Sequence, residues 1–278
     1  MKAMIFAAGL GTRLKPLTDT MPKALVPVGR KPLLQHAIEK LKAAGFDDII
    51  INVHHFAGQI IDFVEANHHF GIHIEFSDER EKLLDTGGGI KKASPFFDDN
   101  KPFLVHNVDI LSNIDLRKLY EAHARSSVPN PKNPPNPPGQ AGKKTRPGQP
   151  YPNTHTGQPN PLATLACNER KTTRYLLFDS NNRLKGWINE KTGEMKSPFP
   201  YFDPRHYRKL AFAGIQILQP SIFQYMAGLP DRFSIIEFYL SICDKEEVTC
   251  YIPDNLKLID VGKPDSLKEA AQFLDPLF

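Results

Sequence analysis

Between Ala7 and Thr18 the chain reads AAGLGTRLKPLT, directly after the apolar run Met4-Ile5-Phe6. Glycines spaced in this way let the backbone turn sharply and approach a ligand closely. The N–H groups of Gly9, Leu10, Gly11 and Thr12 would then form a concave nest for an anion. Arg13 adds a guanidinium whose fork matches phosphate oxygens. Ten residues on, Lys23 is flanked by Pro22 and Ala24 in a proline-rich stretch that holds it more stiffly than an ordinary surface lysine. Asp109 and Asp260 each close an apolar strand, in PFLVHNVD and LIDVG. Magnesium typically takes one or two such carboxylates and completes its shell with phosphates and water. The combined chemistry is that of a bound polyphosphate neutralised from several sides. Each feature also has a plainer role. Glycine turns close many strand–helix connections for steric reasons alone, surface lysines are usually just solvated, and strand-end aspartates are common turn formers.

The loop does not fit the two best-known phosphate fingerprints. It lacks the Gly-Lys-Ser/Thr ending of a P-loop, and Arg13 and Leu14 stand where a dinucleotide fold wants its third glycine. The next strand ends in Asn52 rather than in the acidic residue that would hold a ribose. A nicotinamide-dependent oxidoreductase is therefore the weakest of the enzyme readings.

The elements that must position these groups follow from periodicity. KAMIFAAG and DIIINVHH are short apolar runs suited to strands buried on both faces. LLQHAIEKLKAAGF places Leu33, Leu34, Ala37, Ile38 and Leu41 at helical spacing, with Gly45 as its stop. AGQIIDFVEANHHFG predicts a second helix, HIEFSDE a third strand, DTGGGIKKASPFF a glycine loop entering a helix, and PFLVHNVDI a fourth strand. Such alternation means βαβ units with right-handed crossovers. The fold class is α/β: a Rossmann-like three-layer αβα sandwich with a mixed, mostly parallel central sheet. After the helix LRKLYEAHARS comes a stretch, residues 128–161, crowded with proline, glycine, asparagine and glutamine. Too little of it is apolar to offset ordering entropy, and it reads as a disordered surface insert within a single domain spanning 1–278. Beyond it strands resume, with a turn at DSNNR, then KLAFAGIQIL, two helices, the strand-like EVTCYIPD and LKLIDVG, and a final helix.

The 278 residues are 40% hydrophobic and 24% charged, with a net charge of +4, as expected of a globular chain with a real core. Much of the positive excess sits in the insert, at Lys132, Lys143, Lys144 and Arg146, so the balance points to neither nucleic acid nor membrane. Nothing approaches the ~20 apolar residues of a membrane span. The first residues run straight into the glycine loop, so no signal peptide is expected. Cys167, Cys243 and Cys250 form no metal or redox spacing and read as buried thiols of a reducing, cytoplasmic environment. His54 and His55 would face opposite ways from a strand end, and His68 and His69 sit at a helix terminus, so a zinc site is not expected. Trp187 and the aromatics of SPFPYFDPRHY are read first as packing and second as lining for a sugar pocket.

MIFAAGLGTRLKPLTDTMPKALVPVGRKPLL resembles the opening of the sugar-1-phosphate nucleotidyltransferases. Their pattern runs roughly G-x-G-T-R-x-x-P-L-T, then P-K, then a proline and K-P before the first helix. The likeness continues in order through DTGGG, HNVDI, FAGIQIL and IDVGKPDSL, and covers nearly the whole chain apart from the insert. The resemblance implies transfer of a nucleoside monophosphate from a nucleoside triphosphate to a sugar 1-phosphate, with Mg²⁺ as cofactor and pyrophosphate as product. Ala8, Gly9, Gly11 and Thr12 would wrap the triphosphate, Arg13 would hold its outer phosphates, and Lys23 would neutralise charge at the α-phosphate. Thr86 and Gly87 would lie against the base. Asp109 and Asp260 would hold the metal, Asp109 counting with Arg13 and Lys23 as catalytic. Asn107, Gly214, Glu190 and Lys191 would receive the sugar and its phosphate.

Two departures stand out. Val108 occupies a position where the family usually has glycine, and would crowd the metal ligand or displace the backbone. The insert follows the helix after the metal strand. Within the family, the short length, DTGGG and NVHH are similar to N-acetylmuramate-1-phosphate uridylyltransferases and to mannose-1-phosphate guanylyltransferase-like enzymes, the former slightly favoured. No β-helix repeats follow, so no attached acyltransferase is expected, and the state is monomer or homodimer. A nucleotide-sugar sensor that binds without turnover is the rival from another class, with Val108 as its support.

Overall fold

The computed structural model describes residues 1–125 and 160–274. The expected insert therefore lies, up to residue 159, outside the described residues. The first half is the predicted alternation: β1 (Lys2–Phe6), the short hairpin β2 (Pro27–Val28) and β3 (Lys31–Pro32), α1 (Leu33–Ala43), β4 (Asp48–Val53), α2 (Ala57–Ala66) and β5 (His73–Asp78). Then follow α3 (Asp85–Lys92), β6 (Phe103–Asn107), β7 (Ile110–Ser112) and α4 (Leu116–Arg125). The second half contains β8 (Ala163–Asn168), β9 (Arg174–Phe178), β10 (Leu184–Asn189), β11 (Met195–Lys196) and β12 (Arg208–Leu218). It closes with α5 (Ile222–Met226), α6 (Ile235–Ile242), β13 (Val248–Tyr251), β14 (Leu258–Asp260) and α7 (Pro264–Leu274).

The mixed central sheet runs β11-β10-β9-β12-β6-β1-β4-β5, with β8 on β12 and β13 on β8. β6, β1, β4 and β5 are mutually parallel, and β13 is parallel to β8. β12 enters antiparallel to β6, β8 and β9, and the β9–β10–β11 meander extends the antiparallel part. Phe6 is in register with both Asn52 and Asn107, so three parallel strands end at one level. In such sheets ligands bind outside the carboxyl ends of the strands.

Side-chain alternation along β1 divides the core into two. Ala3 and Ile5 join one buried cluster with residues of α1, α2, α4 and α7, while Met4 joins another with residues of α3, α5 and α6. Since successive side chains of a strand point to opposite faces, these clusters are the two faces of the sheet and the three layers follow.

One expectation changes. The stretch DTGGGIKK is helical from Asp85 onward instead of a loop entering a helix. Its glycines permit contact rather than flexibility. A Cβ on Gly87 would come within 2.3 Å of the Phe233 ring, and one on Gly88 within 1.9 Å of the Asp231 carbonyl oxygen. The N–H groups of Gly87 and Gly88 both donate to Phe233 O, at 2.9 and 3.3 Å. The helix is pressed against the 231–233 segment, and only glycine fits between them.

The cysteines are free and buried. Among the described residues no group of three or more His, Cys, Asp or Glu side chains could hold a metal ion. None of the helices there is long and apolar enough to cross a membrane.

Candidate active site

A cleft of about 400 Å³ opens at the carboxyl ends of β1, β4, β5 and β6. Each strand delivers a group to it. β1 runs into Ala7, Ala8 and Gly9; β4 ends near Asn52; β5 is followed by Glu79; and β6 leads through Asn107 and Val108 to Asp109. Thr86 at the start of α3 lines the same cleft, and Lys23 reaches in from a one-turn 3₁₀ helix at Lys23–Leu25.

The electrostatic centre is the ion pair of Lys23 with Asp109 Oδ2, whose side chains are only 10% and 19% exposed. Asp109 Oδ1 has no hydrogen-bond partner among the described residues. The backbone of Asp260 joins Asp109 directly: β14 pairs with β7, setting Asp260 opposite Ile110, and Val261 N donates to Asp109 O at 2.9 Å. Asp260 is exposed and lines two neighbouring depressions, one that also holds Arg13 and one that also holds Arg170 and Arg174. A Cβ on Gly262 would lie 2.8 Å from the Arg13 guanidinium and 2.9 Å from Asp260 Oδ1, so the absence of a side chain there makes room for both. Each carboxylate keeps an uncommitted oxygen of the kind that suits Mg²⁺, which needs few protein ligands when phosphates supply the rest, but Asp109 lines the cleft and Asp260 the depressions beside it.

The glycine loop divides its labour. Gly9 is exposed, and a Cβ there would meet nothing within 4 Å, which leaves its backbone open to a ligand. Gly11 serves the loop itself: it is left-handed at φ 64°, its carbonyl accepts from Leu14 N and Thr18 Oγ1, and a Cβ would strike Thr18 Cγ2 at 2.8 Å. Thr12 and Arg13 form an exposed 3₁₀ turn outside the cleft wall.

Beneath the loop lies a network that the motifs did not reveal. Asn52 Oδ1 accepts from Ala7 N at 2.7 Å and Ala8 N at 3.3 Å, and its Nδ2 donates to Glu79 Oε1 at 2.7 Å. Glu79 Oε2 accepts from Leu84 N at 3.3 Å. Asn52 and Glu79 are 2% and 1% exposed, and burial raises the Glu79 pKa above the usual carboxylate value. One buried chain thus ties the ends of β1, β4 and β5 to the start of α3. The available signal was a polar residue closing an apolar run, the same signal that marked Asp109.

The remaining candidates separate. Thr86 Oγ1 accepts from Ile235 N at 3.0 Å, joining the cleft to the start of α6, while Gly87 is buried against Phe233. Gly214 sits at a β-bulge of β12 with φ 73°, where a Cβ would come 2.9 Å from Asn107 Nδ2; it supports Asn107 from behind. Glu190 pairs with Lys209 at 2.8 Å, and Lys191 is exposed in the turn after β10; neither lines the cleft. Val108 is 5% exposed and packs into the core as well as lining the cleft, while the Asp109 carboxylate still reaches Lys23.

The model of the Nucleotidyl transferase family matches residues 2–129, which carry this cleft almost entirely. The chain is 43% identical over 129 residues to an N-acetylmuramate alpha-1-phosphate uridylyltransferase of Neisseria meningitidis, covering 46% of this chain and 54% of that protein. It is 39% identical over 127 residues to a mannose-1-phosphate guanyltransferase of Emericella nidulans, covering 45% and 35%. The matched stretch spans about half or less of these relatives' own length. Beyond that region the fold as a whole is similar to the crystal structure of HddC from Yersinia pseudotuberculosis complexed with GMP-PN. The two share a TM-score of 0.68 and 22% identity over 99% of both chains.

Proposed function

We propose that the protein is a sugar-1-phosphate nucleotidyltransferase that moves a nucleoside monophosphate from a nucleoside triphosphate to a sugar 1-phosphate. The finer assignment is UTP with N-acetylmuramate 1-phosphate, in keeping with the name of the Neisseria relative. GTP with mannose 1-phosphate is the alternative, supported by the Emericella relative at similar identity.

The observation that carries the reading is the Lys23–Asp109 pair on the cleft floor, set beside exposed loop amides at Gly9. A phosphate oxygen of the acceptor attacks the α-phosphorus, the bond from that phosphorus to the β-phosphate oxygen breaks, and pyrophosphate leaves. No covalent nucleophile is needed, because positioning and charge neutralisation dominate such transfers. Lys23 meets charge that develops at the α-phosphate, and Arg13, at the rim, faces the outer phosphates. Asp109 Oδ1 and Asp260 would hold Mg²⁺, which when bound offsets phosphate charge and orients the reactants.

The test is pyrophosphate release with Mg²⁺ across ATP, GTP, CTP, UTP and dTTP, each with a panel of sugar 1-phosphates. One productive pair, abolished by Asp109→Ala, supports the reading. Silence across the panel with nucleotide binding intact replaces it by a binding-only sensor, for which Val108 in the cleft wall would be the lesion.

A further inference from the structure

A second pocket of about 690 Å³ adjoins the cleft, and Asp85 lines both. It lies over β9, β10 and β12, with Trp187, Phe212, Arg170 and Arg174 among its lining residues. Its size is that of a small-molecule site, and its lining is more polar than apolar, with charged side chains of both signs set around Trp187 and Phe212.

The charges in this pocket are unequally satisfied. Lys196 is neutralised twice, by Glu237 at 2.8 Å and Glu194 at 3.4 Å. Asp85 Oδ1 accepts from Thr86 N at 2.6 Å, and Asp260, the fourth carboxylate of the lining, has no ion pair among the described residues. Arg170 and Arg174 have no ion pair among the described residues. Arg170 gives one bond, Nη2 to Phe212 O at 3.1 Å, and its Nε is buried with no acceptor. A buried donor without a partner is costly and calls for an explanation. A planar guanidinium with donors to spare is built for a carboxylate or phosphate.

We propose that Arg170 and Arg174 recognise a second anionic group on the acceptor, distinct from the phosphate that reacts. This rests on the transferase reading. The reacting phosphate must lie near Lys23 and Asp109, in a cleft that neither arginine lines; the arginine pocket borders that machinery through Asp85 and Asp260, so the anion the arginines meet is assigned to another part of the molecule. Trp187 offers an aromatic wall for the ring between the two charged ends. The acceptor class is then a sugar 1-phosphate that also bears a carboxylate or a second phosphate.

Two matched pairs test this, with kcat/KM measured for each in the presence of Mg²⁺ and the preferred triphosphate. N-acetylmuramate 1-phosphate and N-acetylglucosamine 1-phosphate differ by a lactyl carboxylate, and glucose 1,6-bisphosphate and glucose 1-phosphate differ by a phosphate. The member of one pair that bears the additional anionic group should be preferred roughly 10- to 100-fold, the range of hydrogen bonds to charged groups. The pair that shows it identifies the anion. Arg170→Met should collapse that ratio and Arg170→Lys should restore part of it, with triphosphate binding by each variant as the check on folding. Equal use of both members of both pairs, or a ratio unmoved by Arg170→Met in a variant that still binds triphosphate, overturns the inference and leaves the transferase reading standing. Absence of turnover with every acceptor removes both.

Discussion

Lys23 and Asp109, 86 residues apart in the chain, meet as one ion pair on the floor of the cleft. The lysine comes from a proline-bounded turn and the aspartate from the end of β6, so neither belongs to an element that the other stabilises locally. The pair engages a single carboxylate oxygen and leaves Oδ1 open. A purely structural salt bridge would gain from using both. Asp109→Asn should therefore lower the rate of pyrophosphate release by about 10²- to 10³-fold, the usual cost of removing one preorganised charge contact. Lys23→Ala should do the same chiefly through kcat. Steady-state kinetics with UTP and a sugar 1-phosphate checks both, and a change confined to KM would contradict the role given to Lys23.

Asn52 is the positioning residue of the glycine loop. Asn52→Leu leaves Ala7 N, Ala8 N and one oxygen of Glu79 without their partner in a buried place. The expected loss is about 2 kcal/mol of stability, with a higher KM for the triphosphate as the loop amides lose their register. Chemical denaturation and the KM-against-kcat split measure the two effects. Normal KM in a destabilised protein would show that Asn52 serves the fold alone.

The triple glycine of α3 predicts a contrast between two alanine substitutions. Gly88→Ala places a methyl group 1.9 Å from the Asp231 carbonyl oxygen, so the helix must move off the 231–233 segment, at a cost of about 1–3 kcal/mol. Gly58 lies inside α2 with nothing within 4 Å of the added carbon. Gly58→Ala should stabilise by roughly 0.5–1 kcal/mol through helix propensity. Urea midpoints of the two variants should move in opposite directions.

His123 carries a pH dependence. It is fully buried, its Nδ1 lies 2.9 Å from Thr164 Oγ1, and its Nε2 has no hydrogen-bond partner among the described residues. Burial pushes its pKa down to about 4 from the ordinary 6.5. Between those values the unfolded chain binds the extra proton and the folded chain does not. The contribution is thus complete above about pH 6.5 and is lost as the pH falls toward 4, with a slope of up to ~1.4 kcal/mol per pH unit. Tm should fall over that window, and His123→Gln should flatten the slope. An unchanged slope would assign the acid sensitivity to other groups.

Local sequence determined which segments are strands and helices, because apolar spacing of two or 3.6 residues and the glycine stops act within a few neighbours. It also marked the strand ends that bear polar groups, which is why Gly9, Lys23, Asn107 and Asp109 could be named and are found in one cleft. Tertiary structure alone decided the partners. Asn52 meets the loop 45 residues earlier and Glu79 lies 27 residues later, and no local pattern encodes such a cross-strand bond. The α3 glycines look like a mobile loop until Phe233 and Asp231 are packed against them. Arg170 and Arg174 look like solvated surface charges until β9, β10 and β12 close a pocket around them. Arg13 and Asp260, 247 residues apart in the chain, stand together in the depression next to the cleft. Elements follow from short-range periodicity, whereas a site is made by long-range contacts whose geometry only the packed sheet fixes.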